Sequence, residues 1–149
     1  MKIRFFSLLL IVVLLICMVP INAYATQNEV VTYEDGSYLI VTTEEVSVRS
    51  TNTRVANRHL TYYNSSDEVL WKATLSASFT YNGTTSTCSS ANCSVTVNDS
   101  AWYVVSKSAS YSGNTATANL TMGKKFLGIT IDKPEYTITL TCDKDGNLS

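Results

Sequence analysis

Thirteen residues decide the fold: Val69-Leu70-Trp71-Lys72-Ala73-Thr74-Leu75-Ser76-Ala77-Ser78-Phe79-Thr80-Tyr81. Apolar side chains hold every odd position, while Lys72, Thr74, Ser76, Ser78 and Thr80 hold even ones. A period of two sends alternate side chains to opposite faces of a strand, so the spacing predicts one long strand, buried on one face and wet on the other. Asn82-Gly83 follows at once. Both residues tolerate positive φ, and the chain is expected to turn there into an antiparallel partner.

The same alternation recurs on either side. Cys93, Val95 and Val97 share a face, as do Ala116, Ala118, Leu120 and Met122. Tyr136, Ile138, Leu140 and Cys142 alternate with Thr137, Thr139 and Thr141, and Pro134 fits only at the start of that strand. Shorter strands are expected near 38–43, 59–63, 102–108 and 126–131. Turn signals separate them: Asp35-Gly36, Asn64-Ser65-Ser66-Asp67, Asn98-Asp99-Ser100, Ser112-Gly113-Asn114 and Gly123. No helical stripe follows residue 25. An all-β chain results, and sheets that are wet on one side favour an antiparallel β-sandwich, immunoglobulin-like, of seven or eight strands. The polar segment 44–57 reads as a linker. The expected organisation is therefore an N-terminal strand or arm with its linker over 26–57, and a β-sandwich domain over 58–149.

The opening MKIRFFSLLLIVVLLICMVPINAYA, residues 1–25, reads as a cleaved signal helix. Lys2 and Arg4 hold the N-terminus back, an apolar run partitions into the membrane, and Ala23-Tyr24-Ala25 fits a small-residue cleavage site. Its apolar run is about 15 residues, short of the roughly 20 that span a bilayer. Cys17 follows Leu14-Leu15-Ile16 rather than a small residue, which argues against lipid attachment. Removing 25 of 149 residues leaves 124, the size of one domain. The product is expected to be secreted, with no membrane partner after cleavage. Its 9 basic against 12 acidic residues give a net charge of −3. Nucleic acid is excluded as a partner on this balance, since Lys124-Lys125 is the only adjacent basic pair left.

Chemistry-bearing residues are sparse. The one histidine, His59, stands at a strand start in Arg58-His59-Leu60-Thr61-Tyr62 with no catalytic phrase around it. Glu34-Asp35, Glu44-Glu45 and Asp67-Glu68 fall in turns or polar segments. Asp143, Asp145, Gly146 and Asn147 resemble a fragment of a calcium loop without its distal glutamate and read as a turn. One histidine and no C-x-x-C pair argue against zinc. No enzyme, metal or cofactor is expected. Three cysteines remain after cleavage: Cys88, Cys93 and Cys142. Alternation puts Cys93 and Cys142 on inward faces, Cys88 and Cys93 are close enough to close a local loop, and a Cys88–Cys142 bond spans 142 − 88 = 54 residues. By loop entropy that last bond contributes about 4 kcal/mol. All three pairings stand open on pattern.

A resemblance enters through Tyr62-Tyr63-Asn64-Ser65-Ser66, Val69-Leu70-Trp71 and Phe79-Thr80-Tyr81-Asn82-Gly83-Thr84. Tyr33-Glu34-Asp35-Gly36-Ser37-Tyr38, Ser106-Lys107-Ser108-Ala109, Ser112-Gly113-Asn114 and Thr139-Leu140-Thr141-Cys142 extend it over nearly the whole mature chain. With these the chain resembles an uncharacterised family of small secreted β-rich proteins of clostridia-like Gram-positive bacteria. The resemblance implies a Cys88–Cys142 disulfide and leaves Cys93, at a position where the family usually lacks cysteine, as a free thiol or a competitor in pairing. It implies no activity. In a bacterium the N-x-S/T sequons at Asn64, Asn82, Asn92, Asn98 and Asn119 are by-products of composition.

Aromatic residues supply the functional lead. Trp71 belongs to the buried face of the long strand, but in Trp102-Tyr103 one of the two must point outward if the segment is a strand. Trp102 and Tyr103 are thus the candidates for an exposed site facing sugar rings or a partner protein. The expected function is a secreted, non-catalytic binding or interaction module whose partner is an extracellular protein or glycan. The alternatives are a carbohydrate-binding accessory protein that uses exposed aromatics and a small secreted hydrolase or toxin.

Overall fold

A computed structural model describes residues 29–46 and 52–149; the export segment, its cleavage site and Cys17 lie outside the described residues. Among the described residues there are nine strands: β1 (Glu29–Thr32), β2 (Tyr38–Glu45), β3 (Thr53–Tyr63), β4 (Val69–Tyr81), β5 (Ser86–Val97), β6 (Trp102–Ser112), β7 (Thr115–Phe126), β8 (Ile129–Asp132) and β9 (Glu135–Thr141). The decisive stretch is β4, with the bounds that its alternation predicts. One sheet runs β1-β2-β3-β4-β5, and in the other β7 lies between β6 on one side and β8 and β9 on the other. Every pairing is antiparallel.

This order departs from the immunoglobulin-like expectation. An immunoglobulin arrangement needs Greek-key connections, which place non-consecutive strands side by side. Here the strands within each sheet pair with their neighbours in sequence, apart from β9, which continues β8 along the same edge of β7. Lys133-Pro134 separates those two strands. Pro134 cannot donate to a ladder, which accounts for the break.

The two sheets share one core. Trp71, Leu75 and Phe79 of β4 are fully buried, with Leu120 and Met122 of β7 and Leu140 of β9. Tyr62 stacks on Trp71 at 5.5 Å, and the Trp102 and Tyr136 rings from the second sheet meet Trp71 at 6.2 and 5.0 Å. Burying side chains of this size stabilises by about 1.5–3 kcal/mol each, so the aromatic seam is a principal bond between the sheets.

The supposed linker over 44–57 is a second correction. Glu44 and Glu45 end β2, β3 begins at Thr53, and Glu45 lies opposite Ala56. The 57/58 boundary therefore falls inside a strand. Arg54 and Arg58 occupy inward-facing positions opposite Phe79 and Leu75, which is what hid the strand's period. Both escape burial at the margin: Arg58 donates to the Thr139 carbonyl at 2.9 Å, and Arg54 donates to the Gly146 carbonyl and pairs with Glu45. Their aliphatic stems cover core while their charges reach partners.

Candidate functional site

His59 stands on the outer face of the five-stranded sheet. Its Nδ1 lies 2.9 Å from the Thr74 hydroxyl and its Nε2 3.3 Å from the Glu44 carboxylate. The order hydroxyl, imidazole, carboxylate is that of an acyl-transfer triad. Such a triad also needs free N–H groups to hold an oxyanion. Thr74 sits mid-strand in β4, which is paired on both edges, so the amides around it are committed to the ladders. The array works as a cross-strand polar contact.

The C-terminal Asp143 carboxylate is occupied by its own loop. It accepts from the backbone N–H of Asp145 and of Asn147 and from the Asn147 side-chain amide, all at 2.8 Å. The Asn147 bonds, followed by that from Asp145, hold its pKa below the ordinary aspartate value. Among the described residues no three His, Cys, Asp or Glu side chains converge as a metal cluster would require.

Cys88, Cys93 and Cys142 are buried free thiols, so the expected Cys88–Cys142 bond is not formed in this structure. Cys88 and Cys93 differ in parity, yet both face inward. A bulge explains it: Ser78 pairs with Ser90 and Phe79 with Cys88, leaving Ser89 as an extra residue that resets the phase. Cys88 and Cys142 then flank the β6–β7 turn, their N–H groups donating to the adjacent carbonyls of Gly113 and Asn114. Burial pushes the Cys88 thiol up, a hydrogen bond with the Ser90 backbone draws it back, and neighbouring Cys142 adds to the rise. Cys93 is raised by burial and lowered by Lys107. The geometry thus brings Cys142 beside Cys88 and leaves Cys93 in separate surroundings.

Of the two aromatic candidates, Trp102 belongs to the core. It is 6% exposed and packs on Tyr62 at 5.2 Å, which removes it as a surface platform. Tyr103 points to the outer face of the second sheet. Its ring lies over Gly123, its cross-strand partner, so closely that a Cβ there would come within 2.3 Å of it. The Lys125 ammonium sits over the same ring at 4.5 Å, and the hydroxyl meets that of Thr130 at 2.8 Å. Lys124, on the opposite face, lies over Trp102 at 5.6 Å. Each aromatic candidate holds one lysine, by an attraction of about 0.5–2 kcal/mol.

Both lysines lead into the most exposed apolar surface of the described residues. Phe126 is 64% exposed, Leu127 86%, Ile129 70% and Ile131 57%. Phe126 and Ile129 are a cross-strand pair, and Leu127-Gly128 turns the chain between them with φ of +49° and +80°. Soluble hairpins place Asn, Asp or Gly at such positions, since Cβ disfavours positive φ. Leu127 is therefore disfavoured twice, by its backbone and by water. The sequence signal is the run Lys124-Lys125-Phe126-Leu127-Gly128-Ile129, where a turn stands inside the stretch 126–131 expected as one strand. Comparison with protein-family models, with curated proteins and with solved structures finds no match.

Proposed function

We propose that this is an exported, non-catalytic binding module, a two-sheet β-sandwich that engages its extracellular partner through the β7–β8 hairpin. One observation carries the reading: four large apolar side chains stand in water around a two-residue turn. Soluble monomers rarely leave so concentrated an apolar patch uncovered unless it serves contact. The export segment supports an extracellular setting. In an oxidising space the neighbouring Cys88 and Cys142 are the pair to join, with Cys93 left as thiol. The glycan-binding alternative has less support, because Trp102 is core and Tyr103 is occupied by Gly123 and Lys125. The hydrolase alternative has less support as well, because the amides around Thr74 belong to the ladders.

The test is co-sedimentation of the secreted protein with washed Gram-positive cell envelopes, comparing wild type with a Phe126→Ser, Leu127→Asn double variant. Wild type is expected to sediment and the variant to stay in solution. Equal retention of the two, or none of either, refutes the reading. Intact mass of the same sample, with and without reductant, is expected to show one disulfide and one alkylatable thiol.

A further inference from the structure

We propose that the β7–β8 hairpin docks on an anionic lipid surface, its apolar tip entering the acyl boundary while Lys124, Lys125 and Lys133 meet the headgroup phosphates. This rests on the binding reading above and names the partner. It departs from the expectation that the processed chain has no membrane contact. The shape of the patch is the first argument. Phe126 and Ile129 project from one face, Leu127 caps the turn and Ile131 lies at a bulge in the ladder. The apolar groups thus radiate from a convex tip. A flat protein surface or a second copy covers one side of such a tip, whereas a fluid acyl layer covers all sides.

Charge is the second argument. Residues 124–133 carry three lysines against Asp132, while the chain after residue 25 is net negative. Asp35 is the acidic neighbour of Lys124 on the facing element. Lys124 and Lys125 point to opposite faces of the hairpin, each held over an aromatic ring, and so collar the tip on both sides. At about 3.3 Å per strand residue, the collar lies roughly 5–10 Å below the apex, which is the depth from acyl boundary to headgroup. Leu127 is the third argument. Its disfavoured φ gains nothing inside the molecule and is explained by apolar contact outside it.

Flotation with vesicles of phosphatidylcholine containing about 30% phosphatidylglycerol tests this, with pure phosphatidylcholine as the control. Wild type is expected to float with anionic vesicles, less so as salt rises, and hardly with neutral ones. Leu127→Asn should reduce partitioning about tenfold, and each of Lys124→Gln, Lys125→Gln and Lys133→Gln about fivefold. The inference is overturned by a wild type that stays in solution, by equal flotation on both vesicle types, or by a Leu127→Asn protein that floats like wild type. A dimer that Leu127→Asn dissociates also overturns it, in favour of self-association. Tip-dependent envelope retention without flotation sinks the lipid partner and leaves the binding reading intact, whereas tip-independent retention sinks the binding reading itself.

Discussion

The β4–β5 turn at Asn82-Gly83 and the β7–β8 turn at Leu127-Gly128 each reverse the chain with a glycine at φ +80°. At the first, the Asn82 side-chain oxygen accepts from the N–H groups of Thr84 and Thr85, and Gly83 donates to the Lys144 carbonyl, tying the turn to the C-terminal loop. At the second, a leucine takes positive φ and its side chain is left in water. One turn is assembled from residues that satisfy its own backbone, and the other from residues that suit neither backbone nor solvent. The difference teaches that stability explains the first turn and not the second, and the proposed contact role of the second rests on that contrast.

The comparison is broken or sharpened by substitution. The largest effect is expected at the base of the apolar hairpin. Gly123→Ala drives a methyl into the Tyr103 ring, costing about 1–3 kcal/mol in chemical denaturation and displacing the platform beneath Lys125. Envelope retention should fall with it. Unchanged stability would mean that this base is no more constrained than open space, as at Gly83. Next, Asn82→Ala removes both hydrogen bonds that the side chain accepts from the turn's backbone and is expected to cost about 1 kcal/mol while leaving retention unchanged. Lost retention there would make the two turns functionally alike.

Leu127→Asn is expected to act in the opposite sense. Asparagine tolerates positive φ, so the variant should gain about 0.5–1 kcal/mol while losing retention. The smallest effect is local and pH-dependent. Asp143 has its pKa depressed by hydrogen bonds, so its contribution to the C-terminal loop is fully present above the ordinary aspartate value of 3.8 and is lost as pH falls through the lower folded value. The Asn147 side-chain amide resonance should shift in that acid range while the Leu127 resonances stay fixed. A shift already complete at neutral pH would contradict the assignment.

Much of the fold was legible where one residue type held one face. In β4 the alternation gave the strand, its bounds and its buried side together. Legibility failed wherever the phase was broken physically. Arg54 and Arg58 face inward at the margin and disguised β3 as linker, and the Ser89 bulge turned Cys88 inward against its parity. Strand order was hidden because alternation reports which side is buried and not which strand lies alongside. For the site, the sequence narrowed the outward aromatic to Trp102 or Tyr103 without choosing, since either parity fits a short strand between turns. The apolar tip has the composition of a strand because β-branched and aromatic residues suit strands, and the positive φ at Leu127 is what marks the turn.

The most direct measurement is a paired one: thermal unfolding and envelope retention of Leu127→Asn and Asn82→Ala, side by side with wild type. The account predicts a Leu127→Asn protein at least as stable as wild type that is not retained, and an Asn82→Ala protein that is less stable and fully retained. A Leu127→Asn protein that folds and is retained like wild type contradicts it.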